Sequence, residues 1–198
     1  MICRSQSLIA ISNKTNNNNQ IMRINLNAGP GAGKSTTAAW LFSELKGKHI
    51  SVELVTEYVK SWATQKRNVN SFDQIYLFGK QMQYEFRFLN SGVKNIVTDS
   101  PLILSAVYAD FYYPELNLGQ PLLQLMKSYD AAHPSINIFL RRNDKKYIQE
   151  GRYQTYEQAK HVDELVQQYV TKHLNNVHFV DYNDRNTILQ LVLKNCDQ

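Results

Sequence analysis

The chain has 198 residues, 43% of them hydrophobic, and a formal net charge of +5. This is enough apolar material for one domain with a sizeable core, yet no run approaches the roughly 18 continuous apolar residues of a membrane span. Two cysteines, Cys3 and Cys196, lie near opposite ends without metal-ligand spacing, which points away from a disulfide-framed fold and towards a reduced, cytoplasmic setting (the host cytoplasm if the chain is viral).

Residues 1–20 run from a short apolar patch into an asparagine-rich tract, "NKTNNNNQ", with no face to bury; they are predicted to form a disordered extension before a single domain over 21–198. Met22, directly at the first predicted strand, is a candidate start codon. "MRINLN" alternates as a strand, and "STTAAWLFSEL" places Ala38, Leu41, Phe42 and Leu45 at helical spacing. Between them lies "AGPGAGKST". Glycines admit positive φ and close approach of the backbone, and the helix start offers unsatisfied N–H groups to an anion. The lysine and hydroxyl that follow are what a phosphate-binding loop requires: Lys34 for the β and γ phosphates of ATP, Ser35 for Mg2+. Gly29, Gly31, Ala32, Gly33, Lys34, Ser35 and Thr36 are therefore the candidate nucleotide-binding residues. The usual spacing G-x-x-x-x-G-K-[ST] would put a glycine at position 28; this chain has Ala28, and its glycine comes one residue later, at Gly29.

A second strand is predicted over 51–55, with Glu57 just past its carboxyl end, the edge at which open parallel sheets bind ligands. The next segment reads as one long helix that starts at a capping box of Ser71 and Gln74 and stops at Gly92. Its Ile75, Met82, Phe86 and Leu89 are expected in the core; Gln74, Tyr76, Gln81 and Gln83 face either a pocket or solvent. "NIVTD" is a short buried-type strand closed by Asp99, the pattern of a Walker B acid that supports magnesium, so Ser35 and Asp99 are the candidate metal residues. Two helices follow around an aromatic turn, in which Tyr108, Phe111, Tyr112 and Tyr113 either stack on a flat acceptor or, as burial habits favour, pack on the core.

A fourth strand over 136–140 leads into Arg141, Arg142, Lys145, Lys146 and Arg152, a basic group that can neutralise charge on a transferred phosphoryl group or form a solvated face. Arg142 and Arg152 are the stronger candidates, Arg152 because it follows a glycine at the expected start of a helix. A fifth strand and closing helix complete the chain, with the loop 181–185 expected near adenine. Five strands alternating with helices predict an α/β, doubly wound, mostly parallel five-stranded sheet, a P-loop kinase sandwich, in which these residues converge on one crevice.

Taken together, "GPGAGKST", "TEYVKSWA", "FDQIYLFGKQ", "VTDSP" and "FLRR...GRYQT" resemble the P-loop kinases and ATPases grouped with the ribosylnicotinamide kinase domain of bacterial NAD-regulator proteins, and small phage-encoded nucleotide or thymidylate-like kinases in particular. The resemblance spans about residues 22 to 195. It implies that Glu57 contacts the acceptor or assists its deprotonation, that Asp99 is the Walker B acid, and that Arg142 and Arg152 are lid arginines. The catalytic set is then Lys34, Glu57, Asp99, Arg142 and Arg152. The expected activity is ATP- and Mg2+-dependent transfer of the γ-phosphoryl group to a small nucleoside- or nucleotide-like acceptor. Two alternatives are a phage-type kinase acting on 5-hydroxymethyluracil within DNA and a nucleotide-switched binding module.

Overall fold

The computed structural model describes residues 22–70, 72–142, 147–148, 150 and 152–196. The extension 1–20, Ser71, Lys145 and Lys146 lie outside the described residues. Alternation in the first strand, β1 (Met22–Asn27), directs Ile24 and Leu26 to one face and Arg23, Asn25 and Asn27 to the other. Both faces are buried, so the polar one is covered rather than solvated. Asn25 Nδ2 donates to Asn137 Oδ1 on a neighbouring strand at 2.9 Å, and Asn27 Nδ2 to the Asn25 carbonyl at 3.3 Å, which gives both buried amide nitrogens an acceptor, while the Oδ1 atoms of Asn25 and Asn27 have no donor among the described residues.

The chain continues through α1 (Lys34–Gly47), β2 (Val52–Val55), α2 (Lys60–Thr64), α3 (Asp73–Leu89), β3 (Asn95–Thr98), α4 (Ile103–Tyr112), a 3-10 turn, α5 (Gly119–Ala132), β4 (Ser135–Arg141), α6 (Tyr156–His173), β5 (Val177–Asp181) and α7 (Arg185–Cys196). The five strands form one sheet in the order β2-β3-β1-β4-β5, and every pairing is parallel. The doubly wound reading of the sequence is thus correct, with β1 in the centre. One core layer joins Ile24, Leu26, Ile136, Ile138 and Leu140 to Leu41 and Leu45 of α1 and Ile188 and Val192 of α7. The other joins α4 and α5 to Val162, Val166 and Val170 of α6. Among the described residues no helix is long and apolar enough to cross a membrane.

Helix α3 departs from expectation. It begins at Asp73 with Phe72 at the N-cap and no side-chain cap hydrogen bond, one residue beyond the expected cap Ser71, which lies outside the described residues. Among the described residues a capping box starts α6, where Thr155 Oγ1 accepts from the Gln158 N–H and Gln158 Oε1 accepts from the Thr155 N–H. The apolar face of α3 is also rotated: Ile75 and Phe86 are 47% and 46% exposed, whereas Gln74, Leu77, Phe78, Gln81, Glu85 and Leu89 are buried. Polar residues occupy the inner face because partners wait there. Gln81 Nε2 donates to Thr98 Oγ1 at 3.1 Å, and Glu85 accepts from Arg23 Nη1 at 3.0 Å.

Arg23 is the centre of a buried cluster at the amino end of the sheet. It also pairs with Asp130, donates through Nε to the His133 carbonyl at 2.9 Å, and lies 4.7 Å from the Tyr129 ring centroid. Burial raises the Glu85 carboxyl to about 7 against the opposing pull of Arg23. This cluster lies across the sheet from the carboxyl edge, where the candidate catalytic residues gather.

Candidate active site

The loop from β1 to α1 has the conformation its composition requires. Gly31 and Gly33 adopt φ of 75° and 92°, and β-carbons there would meet the rings of Tyr147 and Tyr182 at 2.7 and 2.8 Å. Gly29 is not among the residues of positive φ; it is needed because α6 crosses its backbone, and a β-carbon would lie 2.6 Å from Asp163 Oδ1 and 2.9 Å from the Ala159 carbonyl. Ala28 is fully buried in the core, also without positive φ, so its methyl group is packed rather than strained. The displaced glycine of the sequence thus has a local cause.

Gly33 caps α1 without any side-chain hydrogen bond, which leaves the first N–H groups of the helix facing the loop. Ser35 and Thr36 are exposed on a pocket of about 280 Å3, whereas Ala32 is buried beneath the loop. Lys34 folds back so that Nζ donates to the carbonyls of Ala28 and Gly29 at 2.7 and 2.8 Å. Desolvation lowers its pKa, while Glu57, Asp99 and Asp163 pull in the opposite direction.

The two acids stand at neighbouring strand ends. Glu57 follows β2 and lines the same pocket; burial raises its pKa and Lys34 partly restores the ionised form. Asp99 follows β3, is 3% exposed, and its Oδ1 has no hydrogen-bond partner among the described residues. A buried carboxylate oxygen without a donor is suited to a cation or its bound water.

The arginines divide. Arg142, at the end of β4, donates through Nε to Asp163 Oδ2 at 2.5 Å and through Nη2 to the Pro30 carbonyl at 2.6 Å, so it rests on the phosphate loop. Arg152 lines the pocket, with its guanidinium 5.4 Å from the Tyr147 ring centroid and bonded to the Ile148 carbonyl. It stands before α6 rather than at its start, since Thr155 is the N-cap. Arg141 lies beside Phe179, 5.9 Å from the ring centroid.

Beyond the loop and Glu57 the pocket is lined by Gln74, Leu77, Gln81, Leu104, Tyr108 and Tyr112, so two of the aromatic-turn tyrosines reach it, whereas Phe111 packs on the core layer without lining it. Two lining residues are tied to neighbouring segments: Tyr153 Oη donates to the Arg67 carbonyl at 2.6 Å, and the Val69 carbonyl accepts from Tyr113 Oη at 3.2 Å. The loop expected near adenine runs beside the start of α1, with Tyr182 against Gly33 and Arg185 5.2 Å from the Trp40 ring centroid. Sequence reasoning missed Asp163, Tyr147 and Tyr182. Only the glycines they cover hinted at them.

Comparison with known proteins gives the same frame. A family model described as an AAA domain matches residues 23–185, and no curated protein matches the chain. Among solved structures, NadR protein in complex with NR aligns with a TM-score of 0.70 at 16% identity, over 88% of this chain and 51% of that one. A deoxyadenosine kinase from M. mycoides with dCMP and dCDP aligns at 0.56 and 17% identity, over 88% and 98% of the two chains. YorR protein from Bacillus subtilis, in complex with phosphorylated GDP, aligns at 0.54 and 17%, over 87% and 94%. The chain spans about half the length of the NadR chains it matches. A parallel five-stranded sheet with a glycine-rich loop after its central strand, matched by the family model over most of its length, makes this chain a member of that AAA domain family of P-loop proteins.

Proposed function

We propose that this protein is a kinase that uses ATP and Mg2+ to phosphorylate a small nucleoside- or nucleotide-like acceptor. The observation that carries the reading is that the phosphate loop and the carboxyl group of Glu57 open onto one pocket, whose far wall of glutamines, tyrosines and leucines suits a flat polar molecule. Likeness of fold to deoxyadenosine kinase and to NadR, whose structures include one with NAD and AMP-PNP, agrees with it.

In this reading Lys34 exchanges its two carbonyl partners for the β and γ phosphates, and the free N–H groups at the start of α1 hold the same phosphates. Ser35 and Asp99 are the residues to hold magnesium, which would neutralise charge on the phosphates. Glu57 accepts the proton of the acceptor hydroxyl. The acceptor oxygen then forms its bond to the γ phosphorus as the bridging P–O bond breaks and ADP departs. The raised pKa of Glu57 makes it a stronger base than an ordinary carboxylate. In this reading Arg152, which lines the pocket, and Arg142, held on the loop at Pro30, neutralise charge on the moving phosphoryl group.

A pocket of about 280 Å3 supports a small acceptor over a DNA duplex, which would need an open groove. The test is transfer of labelled phosphate from ATP to a panel of nucleosides and nucleotides, nicotinamide riboside and thymidine monophosphate included, beside duplex DNA containing hydroxymethyluracil. Transfer to a member of the small-molecule panel is expected. Transfer confined to DNA, or ATP turnover indifferent to every acceptor, would refute the reading.

A further inference from the structure

Gly29 and Asp163 are 134 residues apart in the chain, yet the carboxylate is shared between the phosphate loop and an arginine. Asp163 Oδ1 accepts from the Gly29 N–H at 2.6 Å, and Oδ2 accepts from Arg142 Nε at 2.5 Å. Arg142 closes the circuit by donating from Nη2 to the Pro30 carbonyl at 2.6 Å. Two of the three guanidinium nitrogens are therefore committed, and the third is directed by their geometry. Arg142 Nη1 lies 3.4 Å from where a β-carbon of Gly31 would be, and the guanidinium is near enough to Lys34 to add to the effect of desolvation in pushing that lysine's pKa down. An arginine forks rigidly in one plane, so fixing Nε and Nη2 fixes Nη1 as well. The Asp163 side chain is 16% and that of Arg142 13% exposed, so this is a partly desolvated pair rather than a surface one.

We propose that Asp163 is a positioning residue of this site: its carboxylate aims the Arg142 guanidinium at the bound phosphates and holds the first turn of the phosphate loop against α6. The proposal rests on the kinase reading for the identity of the anion. It has a further consequence for the loop: the Gly29 N–H is occupied by Asp163, so the anion cradle begins beyond Gly29, at the turn formed by Gly31 and Gly33. Asp163 touches no reacting atom itself. Its effect reaches the nucleotide through Arg142 and the loop.

The experiment is a double-variant cycle on nucleotide affinity in the full chain. Binding of AMP-PNP with magnesium is measured by calorimetry for wild type, Asp163→Asn, Arg142→Gln and the double variant, with melting temperature recorded for each. Asp163→Asn and Arg142→Gln should each weaken binding by about tenfold, the loss of one charge-assisted contact, in folded protein. The double variant should bind no more weakly than the poorer single variant, because both remove the same guanidinium contact. Unchanged affinity in folded Asp163→Asn, or losses that multiply in the double variant, would overturn the proposal. Should Asp163→Asn fail to fold, Arg142→Gln decides alone: undiminished AMP-PNP affinity in that variant overturns the proposal. Failure of the wild-type chain to bind AMP-PNP would instead overturn the nucleotide reading and the proposal with it, an outcome distinct from a wild type that binds beside an indifferent variant.

Discussion

Exchanging the residues at positions 28 and 29 isolates what α6 demands of the phosphate loop. In Gly29→Ala the new methyl carbon would lie 2.9 Å from the Ala159 carbonyl oxygen and 3.0 Å from the Asp163 backbone nitrogen, both fixed atoms of α6. Ordinary contact begins at 3.4 Å, so loop or helix must yield by about 0.5 Å, which costs about 1–3 kcal/mol. That movement also strains the bond from Gly29 to Asp163, a charge-assisted contact worth about 1.5–3 kcal/mol at full strength. Together they place the loss near 2–4 kcal/mol, or about 5–15 °C in melting temperature for a chain of this size. Ala28→Gly restores the more usual loop spacing but removes one buried methyl and adds backbone freedom, about 1–2 kcal/mol. Gly29→Ala should therefore be the more damaging of the two, and it alone should weaken AMP-PNP binding markedly. Thermal unfolding by circular dichroism and calorimetric titration measure both effects. A Gly29→Ala protein that melts and binds like wild type would show that the α6 contact does not govern the loop.

Lys34→Ala should keep its fold, because losing two carbonyl contacts is offset by relief of the lysine's desolvation, while nucleotide affinity falls by about a hundredfold; circular dichroism and calorimetry together check this. Asp99→Asn should raise the magnesium concentration required for half-maximal turnover by about tenfold or more with every acceptor, seen in a metal titration. Glu57→Gln should bind ATP normally but transfer slowly, and the fall of wild-type activity on the acid side should vanish from its pH profile; because burial raises this carboxyl, that fall should lie above the ordinary carboxylate range. For Glu85 the sign is opposite to that of most carboxylates. Its native pKa of about 7 exceeds the ordinary 4.5, so the folded chain binds the extra proton and stability is lost as pH rises through that window. Urea unfolding of wild type against Glu85→Gln from about pH 5 to about pH 8 should show wild type losing ground steadily; a constant difference would refute it.

The fold and the phosphate loop were legible because their signals are local. The alternation of "MRINLN", the glycines before Lys34 and the acid closing β3 each declare themselves within a few residues. Helix α3 itself was legible, with Leu89 buried and Met82 packed on the core as expected, but the placement of Ile75 and Phe86 was misread for the opposite reason. Ile75 and Phe86 are the more apolar choice for an inner face, but Glu85 is drawn inward by Arg23 and Gln81 by Thr98, partners that no local window contains. Asp163 escaped notice in the same way. On α6 it is one polar residue among many, and only the packing of that helix on Gly29 gives it a role. Arg142 was found through its place after a strand, while the contact that orients it was not.

The polar column on β1 sets the position of the whole loop. In a central strand with two wholly apolar faces, a slip by one residue would exchange equivalent surfaces at small cost. Here such a slip would thrust Arg23 into the apolar layer of α1 and α7 and strand Glu85, leave Asn25 and Asn137 without each other, and turn Ile24 and Leu26 towards buried polar groups. Each residue of β1 advances about 3.3 Å, so the same slip would carry Lys34 a comparable distance away from Glu57 and Asp99. Arg23 and the two asparagines therefore index the central strand like teeth in a ratchet, and a cluster at the far end of the sheet fixes where the phosphate loop begins.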